Sequence, residues 1–180
     1  MKYVVCAALV LSAALAFNPS ARADGADSSG AADALDSFRQ GRVELDAGAG
    51  LGVFNSNEYL LLLLGGNYYL EDGLSAGLTG EAWLGSSPSI GDVSPQARYV
   101  FLDCPWRFKP YVGAFYRRTF YDRLDPPINS AGTRAGLVFP LNSRAYATGG
   151  LVYEHYFSCQ TSMYSSCDQV YPEIGLAFSF

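Results

Sequence analysis

One histidine, His155, stands in a chain of 180 residues. A hydroxyl nucleophile activated by an imidazole therefore has a single place to be. Its neighbours do not supply the rest of such a site. Glu154 is adjacent and on a strand would face the other way; Ser158, three residues on, would also start on the opposite face. Tyr153 and Phe157 share the parity of His155, which reads as one more aromatic of that face. The four cysteines have no histidine or cysteine at zinc-ligand spacing, so no metal site is expected. No catalytic residue is assigned and no cofactor is expected.

The other chemistry-bearing residues are charges set in alternating stretches. Glu44 and Asp46 open the series, followed by Glu81, Arg98, Lys109, Arg117, Arg134, Glu154 and Glu173. Each shares its parity with Gly, Ser, Thr or Tyr, while the intervening positions are apolar. Side chains alternate across a strand, so such stretches are strands with two different surroundings. Alternation predicts eight of them, over about 41–53, 58–70, 74–85, 93–102, 108–121, 131–139, 145–155 and 170–180. Turn residues separate them: Glu71-Asp72-Gly73 is of hairpin type, and Asp122 to Asn129, with Pro126-Pro127, reads as a long polar loop. Turns after the second, fourth and sixth strands are expected to be short, and loops after the third, fifth and seventh longer.

Composition narrows the setting. The net charge of −5 is too acidic for a general nucleic-acid binder. Charged residues make up 16% of the chain, against about a quarter in an ordinary soluble domain. Met1 and Lys2 precede an apolar stretch from Tyr3 to Phe17, and Ala21-Arg22-Ala23 offers small residues to a signal peptidase. Residues 1–23 are therefore read as a signal peptide, 24–40 as a flexible periplasmic leader and 41–180 as the folded domain. An exported chain meets oxidising conditions, and Cys159 and Cys167 flank a polar stretch as the natural disulfide pair. Closing so short a loop would stabilise by about 2.5 kcal/mol in the chain-entropy model. Cys104 is left over, on the opposite rim.

The closing stretch carries a resemblance. Val170, Pro172, Ile174, Leu176, Phe178 and Phe180 form an apolar set against Tyr171, Glu173, Gly175, Ala177 and Ser179, and the chain ends on phenylalanine. This resembles the last strand of the small bacterial outer-membrane β-barrels of the OmpA, OmpX and OmpW kind. The resemblance covers Gly41 to Phe180 and implies an eight-stranded antiparallel up-and-down transmembrane β-barrel in the outer membrane. It also implies that Phe178 and Phe180 belong to the signal read by the barrel insertion machinery. The apolar face would then meet lipid, and the charges of the alternating stretches would pair in a polar network plugging a narrow lumen. Aromatics near strand ends, among them Tyr68, Tyr69, Phe101, Phe108, Phe120, Phe139, Tyr156, Phe157 and Phe180, would form interfacial girdles.

Function in this class ranges over anchoring and adhesive barrels, small-solute channels and lipid A-modifying enzymes. The deacylases among them use a histidine with a serine two residues on, where this chain has Phe157. The expected role is structural or surface-interacting, through external loops that include Ser158 to Asp168. The alternative is a narrow channel for small or hydrophobic solutes, and the third reading is a lipid A-modifying enzyme. Expected partners are outer-membrane lipid, an extracellular ligand at the loops, and lipopolysaccharide, whose phosphates Arg118 and Arg123 would meet near the outer rim.

Overall fold

The structure is a computed structural model describing residues 36–54, 57–85, 89–121, 124–157 and 166–180. The signal segment, most of the leader, Arg123 and Cys159 lie outside the described residues, and with Cys159 the expected pairing to Cys167. Neither described cysteine, Cys104 nor Cys167, is a free thiol.

Eight strands follow in chain order: β1 (Val43–Phe54), β2 (Asn57–Glu71), β3 (Leu74–Leu84), β4 (Ile90–Val100), β5 (Lys109–Tyr121), β6 (Leu124–Pro140), β7 (Ala145–Tyr156) and β8 (Asp168–Ser179). Each pairs antiparallel with its sequence neighbour, and β8 returns to β1 to close the barrel. Strict alternation explains both faces. Leu45, Leu62, Leu64, Leu78, Val93, Leu151, Ile174 and Leu176 stand exposed on the outside. Glu44, Asn67, Ser75, Thr79, Asp92, Ser94, Ser130 and Glu154 are buried within. Pairing strand to strand around the barrel is what lets strands cross lipid with most of their backbone groups satisfied. Tyr68, Tyr99, Tyr116, Phe120, Phe139 and Phe157 are exposed, as girdle side chains are.

Two glycines show what the wall demands. Gly73, at φ 81°, makes the tight β2–β3 turn that a side chain would strain. Gly132 lies opposite Phe115 in the β5–β6 register, and a Cβ there would meet the Phe115 ring at 2.5 Å. Any side chain at Gly132 would therefore displace the buried Phe115 ring.

Several expectations are corrected. β4 begins at Ile90 rather than Val93. The β5–β6 connection is short, because β6 starts at Leu124; the register shift between Thr119 and Tyr121 takes up Pro126 and Pro127 where the ladder is already interrupted. The β4–β5 connection, 101–108, is the longer one at its end of the barrel, so short and long connections do not alternate as expected.

The β1–β8 seam is also shorter than a full ladder from Val43 to Val53. Register pairs run only from Glu44 with Ser179 to Ala47 with Leu176, extended below by reciprocal backbone bonds between Val43 and Phe180. Backbone direction gives a reason. Phe180 donates its N–H to β1, whereas Ser179 donates to Arg144 on the β7 side. Alternate residues point alternate ways, so the nitrogen of Pro172 faces β1 and has no hydrogen to give.

The end of the leader is the largest departure. Asp36–Phe38 forms a 3₁₀ turn, and Phe38 is fully buried. It joins a cluster with Tyr69, Val100, Tyr111, Val138, Tyr146 and Ala177 at the barrel end that holds both Val43 and Phe180. Residues 36–40 are therefore an ordered floor to the lumen, not a free tether. The apolar ring of Phe38 outweighs the polar, small-residue composition around it, because a socket of aromatics is there to receive it.

Candidate functional site in the barrel lumen

The lumen holds three layers of charge above the Phe38 floor. In the first, Glu44 of β1 is fully buried and meets Nη2 of Arg98 from β4, which reaches Oε1 at 2.5 Å and also Oε2. Tyr69 donates its hydroxyl to Glu44 Oε2 at 2.6 Å, and Tyr146 donates to the same oxygen. Asn67 donates to Glu44 at 3.0 Å and to Asp46 at 2.5 Å, and itself accepts from Gln96 at 3.0 Å. One carboxylate thus ties together β1, β2, β4 and β7. A charge held this way is paired and hydrogen-bonded, which is the condition for keeping it away from water.

The middle layer is Arg134 of β6 with Glu173 of β8 at 3.2 Å. Arg134 also lies over the Phe115 ring, 4.8 Å from its centroid. The third layer centres on Arg117. Its guanidinium lies 3.1 Å from Glu154, 3.6 Å from Asp92 and 4.0 Å from Glu81. Glu154 is fully buried and also accepts from Ser130 at 2.5 Å and Tyr171 at 2.8 Å. Above it, Tyr59 is buried edge-to-face against Trp83, their centroids 5.7 Å apart.

Of the residues singled out from the sequence, Glu44, Asp46, Glu81, Arg98, Arg117, Arg134, Glu154 and Glu173 all lie within these layers. Lys109 is the exception. It is buried at the terminal end and donates to the carbonyls of Leu102 at 3.2 Å and Cys104 at 2.5 Å, so it ties down the β4–β5 turn below the three charged layers. Reading the sequence missed Asp92, which the polar run before Val93 disguised as loop. It also placed Tyr69 in the lipid girdle, whereas Tyr69 is fully buried. Parity was the available signal, since Tyr69 shares its face with buried Asn67 and not with exposed Tyr68. Among the described residues no cluster of ligands could hold a metal ion.

Outside, His155 and Asp168 face each other in the β7–β8 register, with Nδ1 2.8 Å from Oδ1. Tyr153 donates to the same carboxylate oxygen at 2.6 Å. The pair is exposed at the far rim, beside Phe157, whose ring lies 5.7 Å from the imidazole. Arg118 lies over the Phe120 ring at 5.7 Å on the same outer surface.

A closed eight-stranded barrel, apolar outside and packed with paired charge within, has the architecture of a transmembrane β-barrel of the outer-membrane kind. Its surface suits the interior of that bilayer and not water. Solved structures share the fold. The N-terminal β-barrel domain of OprF from Pseudomonas aeruginosa matches with a TM-score of 0.58 and 19% identity, covering 78% of this chain and 98% of that one. OprG from the same organism matches at 0.54 and 14%, covering 79% and 97%. Neisserial surface protein A matches at 0.52 and 15%, covering 77% and 94%. At these identities the likeness is one of fold. No family model matches the chain, and no curated protein matches it by sequence.

Proposed function

We propose that this protein is a closed outer-membrane barrel without a through pore, acting at the cell surface through its far rim and loops. The observation that carries this reading is the filled lumen. Glu44–Arg98, Arg134–Glu173 and the Arg117 cluster span the interior in three layers above the Phe38 floor. Ions crossing would have to displace the paired side chains that occupy the interior. Purified protein in a planar bilayer is expected to give no steady conductance. Large, reproducible open-channel steps would overturn the reading.

The surface role falls to the rim. Arg118, held over Phe120 at the interface, suits phosphate oxygens of lipopolysaccharide, and Arg123 follows further along the chain. A catalytic role is not part of this proposal. His155 is oriented by Asp168, but the hydroxyl described at that pair is Tyr153's, and it donates to the same carboxylate.

A second reading, a narrow route for small hydrophobic solutes, has one observation in its favour. Register pairing between β1 and β8 stops at Ala47 and Leu176, leaving the far half of the seam without them. Uptake of an apolar solute into proteoliposomes, with no ionic conductance, is the result that would favour it.

A further inference from the structure

We propose that the turn Asp36–Phe38 is a latch: a segment of the chain bound by the closed barrel, which holds the β1–β8 seam shut and seals the lumen beneath it. The seam has four register pairs, whereas β1 and β2 pair continuously from Val43 with Tyr68 to Phe54 with Asn57. The turn lies under it and bonds to both flanks. On the β2–β3 flank, Gly73 donates to the Phe38 carbonyl at 2.8 Å and Gln40 donates to Asp72 at 2.9 Å. On the β7–β8 flank, Ser37 donates to the Ser143 carbonyl at 2.9 Å, and Ser179 donates to the Ser37 carbonyl at 3.2 Å.

The Phe38 ring bridges the flanks as well. It meets Tyr69 edge-on at 5.9 Å and Tyr146 at 4.9 Å between centroids. Tyr69 and Tyr146 belong to strands on opposite sides of the seam, so their socket exists only when the seam is closed. Both tyrosines donate upward to Glu44, the first residue of the seam ladder. Asp36 pairs with Arg39 at 3.3 Å and with Arg42, fixing the path from the turn into β1. Whatever binds both flanks of a joint and not the open form stabilises the joint by that difference.

The test is hydrogen exchange on the full chain folded in detergent. The amides of Val43, Leu45, Ala47, Leu176, Phe178 and Phe180 face the seam. Phe38→Ala is expected to speed their exchange by at least about tenfold while leaving the β5–β6 amides unchanged. Equal acceleration in all strands, or none at the seam, overturns the latch. Should Phe38→Ala fail to fold, Ser37→Ala removes one flank contact and is expected to act in the same direction at the seam alone. A disulfide staple from Ala47→Cys with Leu176→Cys separates latch from mere packing. It is expected to restore the unfolding midpoint that Phe38→Ala lowers, with the staple in the otherwise wild-type chain as control. A midpoint left equally low in the stapled variant overturns the proposal.

Discussion

Glu44 shows how much can rest on one side chain. It is fully buried and accepts from Arg98, Tyr69, Tyr146 and Asn67. Replacing it with Gln leaves the Arg98 guanidinium in the lumen without its counter-charge. Breaking a buried pair by removing one partner costs about 3–5 kcal/mol. Denaturant unfolding of Glu44→Gln should show a loss of that order, and Glu44→Met together with Arg98→Met a smaller loss than Glu44→Gln alone. A double-variant loss equal to the sum of the separate Glu44→Met and Arg98→Met losses would mean that the two charges are not coupled. Glu44 and Arg98 were both legible as lumenal from parity, but their partnership was not. Alternation gives a face; only the closed register brings β1 and β4 across the interior from each other. The same holds for Glu173, whose partner Arg134 is set beside it by the register of β6, β7 and β8.

At the scale of the strand, depth in the bilayer decides what a substitution costs. Ile174 lies mid-strand in β8 and is 80% exposed to the outside, whereas Val170 is close to the far rim. Ile174→Arg is expected to destabilise by about 2–4 kcal/mol and Val170→Arg by about 0–1 kcal/mol, read from unfolding in lipid vesicles. The reverse order would contradict the assignment of lipid to this face. β8 and β1 were legible because small or charged residues alternate with apolar ones without a break. The far end of β6 was hidden by Pro126-Pro127, which reads as a loop until the register shift opposite Phe120 is known. The Asp36–Phe38 turn was hidden for a different reason. A three-residue turn has no period, and its order comes entirely from the socket that receives Phe38.

For the whole molecule, the two ends differ in kind. The end with Phe38, Val43 and Phe180 is sealed by apolar packing and by Lys109 on the β4–β5 turn. The far end presents Tyr153, His155, Asp168, Phe157 and Arg118 around its outer surface. If that rim meets lipopolysaccharide, Arg118→Gln with Arg123→Gln should reduce the amount that co-purifies with the barrel, without changing the unfolding midpoint. Unchanged retention would remove the rim from that role.

The three charged layers also constrain how the protein can enter a bilayer. Before β8 meets β1 the sheet is open, and Glu44, Asp92, Arg117 and Glu154 would face hydrocarbon on the side that later becomes the interior. Arg134 and Glu173 of the middle layer lie mid-strand, where a charged side chain costs about 2.5–3.5 kcal/mol even on the mildest scale. A flat sheet cannot wait in the membrane and curl afterwards. Entry and curling have to proceed together, and the first and last strands, separated by all the strands between them, have to find each other while the rest is still crossing.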